Sequence, residues 1–264
     1  MKNLTIYDFS GYVAILQLDD TIECDRMESY IRSLEKNTIV LLGEYVVDSF
    51  FSDNWILEPE PRLKAKNKLD IFAKLSKKYG HIFVIPFIKY KNKGYYKQIA
   101  VITKDSFSTY NQQRLIQYSH WNESSFFSND VTKLPKLPLT FTADGVKFGV
   151  LFGFEAHFDE FWMEFKRACV DVVLVPTAST FSSNDRWQRL LTTHSFTNSC
   201  YVFRANRIGQ YISRDGKSWN FYGNSFVSFG QDIIDSLLHE EGMLCVEIDK
   251  LALESIKKEW GFRN

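Results

Sequence analysis

Three apolar runs in this chain end directly in residues able to do chemistry. Glu44 follows Thr38-Ile-Val-Leu-Leu42 after one glycine. Gly153-Phe154-Glu155 follows Val146-Lys-Phe-Gly-Val-Leu-Phe152. Thr177-Ala-Ser179 follows Asp171-Val-Val-Leu-Val-Pro176. A carboxylate at the end of a buried strand is costly unless it is paired or used, and a used one takes and returns protons. Glu44 is therefore the leading candidate for a site residue; the plainer alternatives are a helix N-cap and a surface ion pair. The polar stretch 104–130 adds Tyr110, Gln112, Gln113, Arg114, His120 and Glu123. His81, His120, His157, His194 and His239 show no paired ligand spacing, so no metal site is expected. No Gly-x-Gly-x-x-Gly or phosphate-loop pattern occurs, and no cofactor is expected.

Strands and helices must alternate to place these residues. Tyr12–Leu18, Thr38–Leu42, His81–Pro86, Tyr95–Thr103, Val146–Phe152, Asp171–Pro176 and Cys200–Ala205 read as buried strands. Apolar residues recur at helical spacing over 24–37, 62–79, 155–168 and 185–197, and Leu251–Glu259 closes the chain as a helix. Tyr90-Lys-Asn-Lys-Gly94 has the composition of a hairpin turn, whereas 104–130 shows no period. The alternation predicts an α/β fold with mixed sheets, in a single domain over 1–264 with no linker or repeat. In such folds sites form beyond the carboxyl ends of strands, where these candidates stand.

Composition narrows the function classes. Lys and Arg together number 32, as do Asp and Glu, so the basic excess of a nucleic-acid or membrane-surface binder is missing. The four cysteines, Cys24, Cys169, Cys200 and Cys245, form no CxxC pair, which reads as a reduced, cytoplasmic protein. No apolar stretch approaches the roughly 20 residues that span a bilayer, and the first residues carry no signal-peptide pattern. The 23 Phe and 13 Tyr point to a bulky aromatic core.

In order along nearly the whole chain, the landmarks resemble the nitrilase, or carbon-nitrogen hydrolase, superfamily. Leu41-Leu-Gly-Glu44 resembles that family's strand ending in Pro-Glu, with Gly43 for the proline. Val150-Leu-Phe-Gly-Phe-Glu155 with Phe158-Asp-Glu160 resembles the nucleophile segment. Val170–Pro176, Trp187-Gln-Arg-Leu-Leu191, Ala205-Asn-Arg-Ile-Gly209 and Phe221-Tyr-Gly-Asn-Ser225 resemble later landmarks. The resemblance implies a four-layer αββα sandwich with two mixed β-sheets packed face to face. It also implies a homodimer, and a small-molecule amide or acid as ligand.

The family's reaction uses a cysteine thiolate, a glutamate base, a lysine that stabilises the tetrahedral intermediate, and commonly a second glutamate. By the resemblance, the base position falls on Glu44 and the supporting glutamate on Glu123. The lysine position carries Gln112, with Arg114 two residues too far along, and the cysteine position carries Gly153. Cys169 and Cys200 read as small buried packing residues, and His157 and Glu155 flank the turn at Gly153. The landmark Arg-Ala-x-Glu-Asn reads His194-Ser-Phe-Thr-Asn198, so its glutamate has become Thr197, as if polar groups around the pocket had drifted. Restoring the written pattern takes Gly153→Cys with Gln112→Lys. Two functions are then expected to compete: a non-catalytic binding or scaffold member of the family, and a divergent amidase in which Glu44 activates water. The row Phe158, Phe161, Trp162, Phe165 offers aromatic area either for a homodimer interface or for docking on the sheet.

Overall fold

The computed structural model describes residues 4–19, 24–51, 60–131, 135–213 and 215–263, with only the backbone described for Cys24 and for 60–68. The expectations for the first three residues, for the Cys24 thiol and for Leu63 on its helix face therefore lie outside the described residues. Among the described residues no helix is long and apolar enough to cross a membrane.

Two mixed sheets form the centre. In the six-stranded sheet, Tyr12–Gln17, Ile39–Leu42 and Ile82–Lys91 run parallel as neighbours. Gly94–Ile102 and Phe107–Asn111 extend it antiparallel on one side and Gly242–Glu247 on the other. In the seven-stranded sheet, Val146–Val150, Val172–Thr177 and Tyr201–Asn206 form the parallel core. Parallel strands buried on both faces read as unbroken apolar runs, which is why Ile-Val-Leu-Leu and Val-Val-Leu-Val stood out.

Side chains alternate faces along a strand, and the two faces pack against different layers. Val13, Ile15, Ile39, Leu41 and Val84 meet Phe141, Phe148, Val150, Leu174 and Phe203 between the sheets. The opposite phase, Leu16, Val40, Leu42, Phe83 and Ile85, packs under Met27, Ile31, Phe72 and Leu75 of the helices Cys24–Arg32 and Glu60–Tyr79. On the far side Val173, Val175 and Val202 pack under the helices Asp159–Arg167 and Asn184–Asn198. This is the αββα order, and it accounts for most of the apolar residues.

Several boundaries differ from the sequence reading for physical reasons. The helix expected over 155–168 is a 3₁₀ turn, Phe154–His157, followed by the helix Asp159–Arg167. Phe158 between them is extended, at φ −111° and ψ 111°. The aromatic row on that helix is consumed within the chain. Phe161, Trp162 and Phe165 are buried, and Phe165 lies so close to Gly149 that a Cβ there would stand 2.7 Å from its ring. The row is thus sheet docking, and the helix exposes Met163 instead. Cys169, expected to be buried, is exposed in a left-handed turn at φ 54°. Thr197 donates to the Thr193 carbonyl on the outer side of its helix, so its change from glutamate is not a change in the pocket.

Candidate functional site

The chain turns from one sheet toward the other just after Leu42, and the approach is close enough to dictate residue type. A Cβ on Gly43 would stand 2.8 Å from the Arg207 backbone nitrogen and 3.2 Å from the Thr177 carbonyl oxygen. That carbonyl accepts from the Glu44 N–H at 3.1 Å, tying the Ile39–Leu42 strand end to the Val172–Thr177 strand end. The turn continues through Tyr45 at φ 57°, a conformation that a bulky side chain adopts only when its surroundings hold it. Here they do: the Tyr45 carbonyl accepts from Arg207 Nη1 at 2.7 Å and its hydroxyl donates to Glu123 Oε1 at 2.8 Å.

Glu44 and Glu123 are brought together around a cation that the sequence reading missed. Lys97 Nζ contacts Glu44 Oε2 and lies 2.5 Å from Glu123 Oε1. Lys97 comes from the strand beside Gln112. The Gln112 N–H donates to the Lys97 carbonyl at 3.1 Å, and Asn129 bonds both backbones, accepting from the Lys97 N–H and donating to the Gln112 carbonyl. Cross-strand neighbours share a face, so a lysine on either strand reaches the same spot. The reading that left the site without a lysine is corrected to this extent: Gln112 lies beside Glu123, and an ammonium arrives from Lys97 on the neighbouring strand. The phase of the strand carried the signal, because Lys97 shares a face with Ile99 and Val101, both in the core between the sheets. Gln112 Nε2 donates to the Arg114 carbonyl at 2.7 Å and approaches Glu123 Oε2 at 3.4 Å. Arg114 itself points away, paired with Glu160 at 2.7 Å.

The three charges are buried together, and burial acts on the protonation of Glu44 and Lys97. Burial pushes the Glu44 carboxyl up, the Glu123 charge pushes it further, and Lys97 opposes both. Burial alone would pull the Lys97 ammonium down, but Glu123 and Glu44 more than offset this and its pKa is raised. Lys97 also lies under the Tyr45 ring at 4.7 Å and the Phe152 ring at 5.2 Å. It is 3% exposed, so its ammonium neutralises the two carboxylates from behind and does not open onto solvent.

Glu44 and Gly153 form the floor of a pocket of about 370 Å³. Phe154, His157, Phe181, Trp187 and Leu190 supply much of its wall, with Arg186 at its edge. Gly153 has ordinary helical dihedrals, φ −52° and ψ −46°, so its backbone would accept any side chain. The neighbours would not. A Cβ there would stand 2.7 Å from Thr177 Cγ2, 3.2 Å from the Pro176 carbonyl oxygen and 3.3 Å from Glu44 Oε1. The Gly153 N–H is also committed, donating to the Pro176 carbonyl at 2.9 Å and to Glu44 Oε1 at 3.3 Å.

Two of the hydroxyls that line the pocket are occupied. Thr177 Oγ1 donates to Asn206 Oδ1 at 2.9 Å, and Ser183 Oγ pairs with the Tyr222 hydroxyl at 3.0 Å. Cys200 is buried beyond the wall, and burial pushes its thiol up to about 12. His157, which the sequence placed beside the Gly153 turn, does reach the pocket wall; burial lowers its pKa, and Nδ1 contacts the Phe154 carbonyl oxygen at 3.1 Å.

Glu155 is placed apart from this cluster and pins the floor. Its carboxyl accepts from the Tyr110 hydroxyl at 3.0 Å, the Phe152 N–H at 3.1 Å and the Gln113 N–H at 2.5 Å. Burial pushes it up to about 8, against the pull of these donors. An acid whose folded pKa lies above its unfolded value keeps a proton that the unfolded chain releases. Its contribution to stability is complete below pH 4.5 and lost as pH rises through about 8. At about 1.4 kcal/mol per pH unit that span is worth about 5 kcal/mol. Urea midpoints at pH 5 and pH 8.5 are expected to fall with pH more steeply for the wild type than for Glu155→Gln; equal slopes would show that Glu155 is already ionised at pH 5.

Comparison with known proteins agrees with this architecture. The family model described as carbon-nitrogen hydrolase matches residues 22–258, most of the chain. The chain belongs to the carbon-nitrogen hydrolase family. A carbon-nitrogen hydrolase from Helicobacter pylori G27 superposes with a TM-score of 0.82 at 17% identity, covering 95% of this chain and 93% of that one. Nit3 of Saccharomyces cerevisiae, from branch 10 of the nitrilase superfamily, gives 0.72 at 17% identity over 94% and 93%. An amidase from Nesterenkonia sp. gives 0.72 at 16% identity over 94% and 95%. At such identities the likeness is one of fold. No curated protein matches the chain. Within the carbon-nitrogen hydrolase family, then, this member presents a buried Glu44–Lys97–Glu123 cluster under an aromatic pocket floored by Gly153.

Proposed function

We propose that this carbon-nitrogen hydrolase family protein has kept the scaffold and given up the covalent reaction, and that it binds a small molecule or serves as a scaffold. Gly153 carries the reading. At the position to which the resemblance assigns the attacking sulfur there is only a hydrogen, and the Thr177 methyl stands 2.7 Å from where a Cβ would go. A further observation supports it. The Gly153 N–H is already spent on the Pro176 carbonyl and on Glu44. Loss of a covalent nucleophile costs on the order of 10⁶ in kcat in enzymes that depend on one. Purified protein is therefore expected to release no ammonia above background from a panel of amides, carbamoyl compounds and nitriles. Turnover abolished by Glu44→Ala would overturn this. It would instead favour the second reading, a divergent amidase with Glu44-activated water, whose support is a carboxyl with raised pKa at the floor of an open pocket. The same family reading carries a homodimer in the cytoplasm. The homodimer cannot use the buried aromatic row, and light scattering at two concentrations checks the dimer.

A further inference from the structure

The strand Tyr201–Asn206 carries a buried cation that meets no anion among the described residues. Arg204 is fully buried, yet no carboxylate pairs with it among the described residues. Its Nη1 donates to the Asn224 carbonyl at 2.9 Å, and Nη2 donates to Ser179 Oγ at 3.1 Å and the Tyr222 hydroxyl at 3.2 Å. Its Nε has no partner. The rings of Trp187, Tyr222 and Phe226 surround it at 5.0 to 5.6 Å. Lys97 and Arg263 contrast with it: Lys97 has two carboxylates and Arg263 has Asp171 at 3.2 Å. A buried guanidinium without a counter-charge is costly, and burial lowers its pKa to about 10.

Two of the groups that touch Arg204, Ser179 and Trp187, also line the 370 Å³ pocket. Ser179 Oγ accepts from Arg204, and its own proton has no acceptor among the described residues, so the hydroxyl is a donor polarised by the cation behind it. A second cation stands at the same pocket. Arg186 is exposed at the edge and makes no hydrogen bond or ion pair among the described residues, unlike Arg114, which pairs with Glu160. The body of the pocket is apolar and aromatic, and its one lining carboxylate, Glu44, sits on the floor beside Gly153.

We propose that this pocket binds the carboxylate of a small organic acid with an apolar body, the carboxylate lying toward Ser179 and Arg186 and the body over Gly153. The proposal deepens the binding reading given above and rests on it. Like charge keeps the ligand's carboxylate away from Glu44, and the same repulsion disfavours a dianion such as phosphate. A neutral amide of the same shape offers these donors one carbonyl oxygen and no charge, so it binds more weakly than the acid. A cavity of roughly 150 Å³ suffices for a benzene ring, so the volume here admits one ring with a short side chain.

Calorimetric titration with phenylacetate, benzoate and hexanoate, each against its primary amide, tests the idea. At least one acid is expected to bind at least about tenfold more tightly than its amide. Arg186→Gln, at an exposed position that leaves the fold intact, is expected to weaken that acid by about tenfold and leave the amide unmoved. Ser179→Ala is expected to weaken the acid too, and inorganic phosphate is expected not to compete. Equal binding of acid and amide, no binding of any acid, an unmoved acid titration in Arg186→Gln, or competition by phosphate would each overturn the proposal. Ammonia release from an amide in the same samples would end the non-catalytic reading, whereas the acid preference is decided by the titrations alone.

Discussion

Replacing Lys97 by methionine is expected to destabilise the protein by about 3–5 kcal/mol, the cost of removing one partner from a buried ion cluster. The cation stands between Glu44, whose side chain is 7% exposed, and Glu123, whose side chain is fully buried. Without it two like charges face each other with only the Tyr45 hydroxyl, the Ile116 N–H and Gln112 for Glu123 and the Gly153 N–H for Glu44. One carboxylate must then take up a proton, so its folded pKa rises above the unfolded value. The sign follows: the variant's deficit is smallest in acid, where both carboxyls are neutral, and grows as pH rises through neutrality. Urea unfolding at pH 5 and pH 7.5 reads both the size and the slope. The double variant Lys97→Met/Glu123→Gln removes the repulsion together with the cation and is expected to recover part of the loss. A Lys97→Met cost below about 1 kcal/mol, with no added slope, would mean that the cluster is held by its hydrogen bonds and not by the ammonium.

The same lysine shows where the sequence was readable and where it was not. The parallel core strands announce themselves because burial on both faces demands unbroken apolar runs, and Glu44 was conspicuous because a carboxylate ends one of them. Lys97 interrupts such a run from inside. Nothing local distinguishes a lysine that pairs with carboxylates 53 and 26 residues away from one that points to water. The clue was its phase, shared with Ile99 and Val101, and it gains meaning only once that face is known to pack on a second sheet. The stretch 104–130 had no period because its strands are short, Phe107–Asn111 followed by two of two residues. Its conformation is set by distant partners instead: Glu123 accepts from the Ile116 N–H, and Asn129 bridges Lys97 and Gln112. Arg204 was illegible for the same reason. In a strand of Tyr-Val-Phe-Arg-Ala-Asn it looks like an outward-facing residue, and only the fold encloses it between Trp187, Tyr222 and Phe226.

Putting a thiol at the floor of the pocket takes a different pair of substitutions from the one the written pattern suggests, and the result expected is a cysteine that reacts. Gln112→Lys is unnecessary, because Lys97 already brings an ammonium to Glu44 and Glu123, and a second one beside it would be repelled. Gly153→Cys alone is obstructed. Its backbone is permissive, but the new Cβ meets Thr177 Cγ2 at 2.7 Å, and Thr177 cannot swing aside while Oγ1 is bonded to Asn206 and to the Ala205 carbonyl. Overpacking of this kind costs about 1–3 kcal/mol. Thr177→Ser deletes that methyl and keeps the hydroxyl, so Gly153→Cys/Thr177→Ser should fold with near wild-type stability while Gly153→Cys alone falls short by about that amount. The introduced sulfur would lie on the pocket floor next to Glu44, a base with raised pKa, whereas Cys200 is buried with its thiol pushed up to about 12. Mass spectrometry after brief exposure to iodoacetamide is expected to find position 153 labelled at least about tenfold faster than Cys200, with Glu44→Gln slowing it. Labelling no faster than at Cys200 would mean that the floor is closed to the reagent and that the space beneath Phe154 and Trp187 belongs to the wall. Fast labelling without amide turnover would separate the two losses: sulfur can be returned by two substitutions, but the N–H at 153 remains bonded to Pro176 and is not available to an oxyanion.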